Sequence, residues 1–202
     1  MRLGMTILRV TVGGLFVGHG TQKLFGWFGG SGLEGTGGFF QSRLGLAPGR
    51  HHATAAGLAE AGGGALLATG FLTPLGALLT SSTMATAIRL VHARNGLWNT
   101  RGGAEYNAVL MASAFAITAA GPGRWSLDAA HGHERWGDGW AVAQLAGALA
   151  GSALAVEAGR RLAERAAAAE ADPQQAPPLD ERDDDAPPAA ADRNGQPAHA
   201  AA

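Results

Sequence analysis

The apolar run from about Leu3 to Phe28 constrains this chain more than any other feature, because Arg9, His19 and Lys23 lie inside it. At a rise of roughly 1.5 Å per residue it is long enough to cross a bilayer. Ionisable groups within such a span cost roughly 2.5–3.5 kcal/mol each near its centre on insertion scales, so they are kept where they pair or work. The run therefore predicts a membrane helix with a buried polar site. Arg2 ahead of it imitates a secretory leader, but the run outlasts a leader's apolar stretch and ends in no small-x-small cleavage site. It is read as a retained anchor.

Charge is unevenly spread. Ten of the 16 acidic residues lie from Glu157 onward, against five of the 15 basic ones. A formal net charge of -1 thus combines a basic body with an acidic tail. There is no cysteine, so thiol exchange or thiolate-held iron–sulfur chemistry would have to come from a partner.

Four further apolar segments follow: Ala53–Leu72 containing Glu60, Leu75–Val91 behind Pro74, Tyr106–Ala120, and Trp140–Val156. The fold class expected is all-α, a polytopic transmembrane bundle of four core spans with a fifth C-terminal hydrophobic helix. Between the first two spans, Phe39-Phe40 within the Gly-rich stretch from Gly29 to His52 predicts a short interfacial helix. The five tryptophans fall near span ends, as an aromatic belt would place them. The chain divides into a membrane domain over 1–130, a polar loop with the fifth helix over 131–165, and a tail over 166–202. The tail is Ala-, Pro- and Asp-rich and is expected to be disordered, because it cannot bury a core. Gly14-x-x-x-Gly18 and Gly147-x-x-x-Gly151 permit close helix approach, though with 32 glycines such matches arise by chance.

Threading the spans back and forth gathers the polar residues. With side A holding Met1 and side B reached after Phe28, His19, Lys23, Glu60, Arg89, His92 and Glu105 fall in the B half, and Arg9 in the A half. His19 and Lys23 share one helical face, and Arg9 extends that stripe. Glu60 is the natural counter-charge for Lys23 or protonated His19, and Glu105 for Arg89 or Arg101. Two readings stay open: a network that fixes helix register, with Lys23, Arg89, His92 and Arg94 snorkelling to the interface, or a site for a ligand, proton or partner. No catalytic residue is assigned. Helical Glu-x-x-His and His-x-x-x-His pairs are lacking, which disfavours a metal site. Bis-histidine haem ligation would need His19 and His92 to face one another, and is disfavoured too. No phosphate loop is present, and the basic residues are not interleaved with aromatics, which argues against nucleic acid.

Leu8-Arg9, Gly18-His19-Gly20, and Gln22 through Gly30 resemble the DoxX family signature. Leu33-Glu34-Gly35-Thr36, Phe39-Phe40, Glu60, Gly70-Phe71-Leu72-Thr73, His92 before Asn95-Gly96, Glu105-Tyr106-Asn107 and the segment Gly121 to Asp128 fit the same pattern. The resemblance covers about residues 3–130. It implies a four-helix inner-membrane protein, with Arg9, Gln22 and Asn95 as structural polar positions. It also implies association with a quinol oxidase, with thiosulfate:quinone oxidoreductase, or with a membrane complex for oxidative-stress defence. The oxidoreductase label of such proteins is inherited, and this chain shows no electron carrier of its own.

The resulting expectation is a small subunit or accessory factor in quinone-linked redox or oxidative-stress processes. Its partners would be the bilayer and a membrane redox complex or soluble redox proteins, with self-association open. The ligand expected in the B half is a quinone head group or a small sulfur anion. Arg89, Lys23 or His92 would bond its oxygens, and Glu60 or His19 would exchange a proton. The alternative is a small transporter or assembly factor without redox chemistry; a metal-dependent membrane enzyme ranks third. The Lys/Arg excess on side B makes B cytoplasmic, with the N-terminus outside and the tail inside.

Overall fold

The computed structural model describes residues 3–171. Among them are seven α-helices: α1 (Leu3–Phe25), α2 (Gly32–Leu44), α3 (Gly49–Thr69), α4 (Thr73–Ala87), α5 (Glu105–Ala120), α6 (Leu127–Ala130) and α7 (Asp138–Glu170). No strand occurs among the described residues. Each apolar segment of the sequence became a helix, and the Phe39-Phe40 stretch became α2. Pro74 stands in the first turn of α4, where its missing N–H costs nothing. The fifth segment grew most: α7 has 33 residues, about 50 Å at helical rise, and runs to Glu170, past the Ala166 at which the tail was expected to begin. The remainder of that tail, from residue 172, lies outside the described residues.

Glycine sets the central contact. A Cβ on Gly13 would stand 2.5 Å from the backbone of Gly64 and Ala68, and one on Gly20 2.4 Å from the backbone of Ala61. Gly57 and Gly64 make the reciprocal approaches from α3. Residues seven apart return to nearly the same helical face, so two glycines on each helix seat α1 antiparallel against α3. Gly14 and Gly18 face open space, so that small-xxx-small match is not the packing face. Gly147 and Gly151 do turn toward α4, meeting Leu78 and Ser82. Val12, Phe16, Leu67, Ala77, Met84, Leu110, Ala114 and Ile117 close the apolar core.

By length and hydropathy, Leu3–Phe25 and Asp138–Ala169 qualify to cross a membrane. The other three segments predicted as spans fall short for separate reasons. α3 carries Arg50, His51, His52, Glu60 and five glycines; α4 passes into a π-helical turn, Ile88–His92, after 15 residues; α5 has only 16. The surface is nonetheless inverted relative to a soluble protein. Ile7, Val10, Leu58, Val109, Val142, Leu149 and Leu154 are exposed, while Arg9, Glu60, Thr80, Asn107 and Gln144 are buried. Apolar side chains scattered over a surface are ordinary; this many beside so polar an interior point to lipid as the surrounding medium.

Candidate functional site

The B half contains a cavity of about 490 Å³, within the roughly 300–1,000 Å³ usual for small-molecule sites. His19 and Lys23 reach it from α1, Glu60 from α3, His92 from the π turn, and Tyr106 and Asn107 from α5. Lys23 Nζ donates to Glu60 Oε2 at 2.5 Å, joining α1 to α3. The two partners differ in solvent access: the Glu60 side chain is 3% exposed and that of Lys23 26%. A carboxylate this deep needs a cation, whereas the lysine keeps part of its hydration.

Local hydrogen bonds orient both histidines. Gln22 Nε2 donates to the Phe28 carbonyl, which turns its Oε1 toward His19 Nδ1, 3.1 Å away. An amide oxygen only accepts, so Nδ1 donates and Nε2 is left for another partner. His92 Nδ1 donates in the same way to the Gly102 carbonyl at 2.7 Å, and Asn95 Nδ2 shares that acceptor. Gln22 thus accepts from His19 directly, and Asn95 donates to the carbonyl that accepts from His92. The His19 ring also meets Tyr106 edge-on, centroids 6.4 Å apart.

Two members of the expected cluster are not brought in. Arg89 is exposed and does not line the cavity. It sits in the π turn, where the added residue per turn rotates later positions relative to α-helical phase. Glu105 opens α5 and is half-buried outside the cavity. It is paired with neither Arg89 nor Arg101; its place in the first helical turn is one that favours a carboxylate. Sequence reasoning also omitted His52, Tyr106 and Asn107 from the site. Asn107 is 5% exposed and donates to Met84 Sδ at 3.2 Å. Its position two residues after Glu105, on a helix whose apolar pattern leaves it inward, was the available signal.

A second polar centre lies in the A half. Arg9, 3% exposed, donates to the carbonyls of Ala68 and Trp125. Asp128, which sequence reasoning did not single out, is 4% exposed and accepts from Leu72 N at 2.8 Å, Thr73 N at 3.0 Å, Thr73 Oγ1 at 2.7 Å and Trp136 Nε1 at 2.9 Å. It thereby caps α4 from the short helix α6. Burial pushes the Asp128 carboxyl upward, yet the hydrogen bonds from Thr73, Trp136 and Leu72 together outweigh burial and hold it below its ordinary value. Leu72 adopts φ 46°, a left-handed conformation that costs a branched residue about 1–2 kcal/mol, and its N–H is one of those Asp128 accepts. Gly70, at φ 63°, could bear no side chain, since a Cβ would stand 2.5 Å from Ser126.

Metal-binding clusters of three or more His, Cys, Asp or Glu do not occur among the described residues. Residues 4–93 match the family model DoxX; α5, α6 and α7 lie beyond the match. No curated protein and no solved structure matches the chain.

Proposed function

We propose that this chain, a DoxX-family protein through residues 4–93, is a multi-pass protein of the cell membrane that binds a quinone head group in the B-half cavity. It would act as a small subunit or accessory factor in quinone-linked redox or oxidative-stress processes. The observation that carries this reading is the Lys23–Glu60 pair at the polar end of an otherwise mostly apolar cavity. A quinone presents two carbonyl oxygens on a flat apolar ring; it needs donors at one end and hydrocarbon walls elsewhere. Lys23 supplies the donor, and the histidine Nε2 atoms supply proton acceptors for the reduced form. A small sulfur anion fits less well, because Glu60 already neutralises Lys23 and Arg89 stands outside.

The outward apolar side chains on α1, α3, α5 and α7 support passage through the bilayer more than twice. The Lys/Arg distribution supports side B as cytoplasmic, with the N-terminus outside and the C-terminus inside. A reporter fused after Ala202 should be active only in its cytoplasmic form; activity only outside would reject that topology. Function is tested by purifying the full chain in mild detergent, extracting bound lipids, and titrating the protein with a short-chain benzoquinone. Co-purified quinone and saturable binding support the proposal. A protein that carries none and binds none overturns it and leaves the transporter or assembly-factor alternative.

A further inference from the structure

The cavity has a second end, and its wall comes from a helix outside the matched family domain. α3 and α7 share no packed interface of their own, although both pack on α4. They come together at the B end, where Ala47 N–H donates to Gly159 O at 3.3 Å and the His52 ring lies over Gly159. Below that junction the cavity continues between them. Ala55, Ala56 and Ala59 line it from α3, and Gly151, Ser152 and Ala155 from α7. Polar groups here are engaged with each other: Thr86 Oγ1 lies 2.8 Å from Ser152 Oγ and also bonds the Ser82 carbonyl. Ala55 and Ala155 are exposed, so the slot opens between the two helices, and Leu58 and Leu154 on the same helices are exposed and apolar.

We propose that α7 builds a tail subsite, in which the isoprenoid chain of a membrane quinone lies between α3 and α7 and leaves toward lipid past Ala55 and Ala155. This rests on the quinone reading above and adds which residues set chain-length selectivity. The occupant follows from continuity and chemistry: the slot belongs to the same cavity as the Lys23–Glu60 pair, adds no Lys, Arg, Asp or Glu to its lining, and reaches exposed positions on α3 and α7. A hydrocarbon chain attached to a polar head satisfies both ends; a compact polar solute satisfies one.

The test uses the full chain in lipid nanodiscs and two probes, a benzoquinone bearing one isoprene unit and one bearing four. Gly151→Leu and Ala155→Leu put branched side chains into the slot, while Leu154→Ala removes one from the exposed surface of α7 outside the cavity lining. Each slot variant is expected to weaken the four-unit probe about tenfold, equivalent to about 1.4 kcal/mol, and to leave the one-unit probe within about threefold, as read by titration. Leu154→Ala should leave the one-unit probe unchanged. Should a leucine variant fail to fold, Ala155→Val gives the same comparison with a smaller addition. Equal weakening of both probes, or of neither, overturns the tail subsite while the head-group site stands. Failure of the wild-type protein to bind either probe overturns both.

Discussion

The two polar centres of this bundle are built from similar ingredients and solve opposite problems. In the A half, Arg9 and Asp128 are almost fully sequestered, and Asp128 accepts three hydrogen bonds from the Leu72–Thr73 start of α4 and one from the Trp136 indole. In the B half, Lys23 and Glu60 share one short contact beside about 490 Å³ of cavity. The Asp128 carboxylate is saturated and rigidifies its surroundings, because every polar atom lost there leaves another buried and unpaired, while Arg9 Nε beside it has no partner among the described residues. A pair left beside open volume keeps valence for something else. The comparison teaches that burial of charge alone does not distinguish the two centres; unfilled space next to it does.

The largest effect should come from breaking the closed centre. Asp128→Ala strips the acceptor from the Leu72 N–H, from two Thr73 donors at the start of α4 and from Trp136, and removes the carboxylate that acts on Arg9. A loss of about 3–5 kcal/mol is expected, measured as a fall in thermal midpoint of the detergent-solubilised chain. Next comes Glu60→Ala. Lys23 retains solvent access and can snorkel, so about 1–3 kcal/mol is expected; a loss equal to that of Asp128→Ala would erase the distinction between the centres.

Acid should separate them further. The Asp128 carboxyl is held below its ordinary value in the folded chain. Its contribution is therefore complete above the unfolded value of about pH 4 and is lost as pH falls through the folded one. Stability of the wild-type chain should decline in that acid window, and Asp128→Asn should flatten the decline. The smallest effect belongs to Glu34→Ala, which breaks the exposed pair with Arg50 between α2 and α3. Such surface pairs contribute about 0–1 kcal/mol, so a large loss there would show that α2 is held by charge and not by the Gly37–Gly49 approach.

Much of the helical order was legible because apolar run length and Pro74 report directly on helix position. The Lys23 and Glu60 placement was legible too, since alternating span direction fixes depth without knowledge of side-chain contacts. Arg89 and Glu105 were misplaced for local reasons: a π turn changes angular phase in a way that α periodicity cannot anticipate, and a first-turn residue has its helix on only one side. Asp128 was hidden because its partners Leu72 and Thr73 are more than fifty residues away, and an aspartate in the first turn of so short a helix resembles any solvated turn. The glycine seam was half visible. Spacing of four in Gly14–Gly18 drew notice, whereas spacing of seven between Gly13 and Gly20 makes the contact.

The central claim is that the B-half pair serves a ligand and the A-half cluster serves the fold. Thermal unfolding of the full-length chain, with and without a saturating short-chain benzoquinone, tests it most directly across wild type, Glu60→Gln and Asp128→Asn. The account predicts that quinone raises the wild-type midpoint, in proportion to the logarithm of its concentration above Kd. Glu60→Gln should keep a near-native midpoint without quinone and lose the ligand-induced rise. Asp128→Asn should start lower and keep the rise. A Glu60→Gln protein that retains the full ligand-induced rise, or an Asp128→Asn protein that loses it while unfolding at the wild-type temperature, would contradict the account.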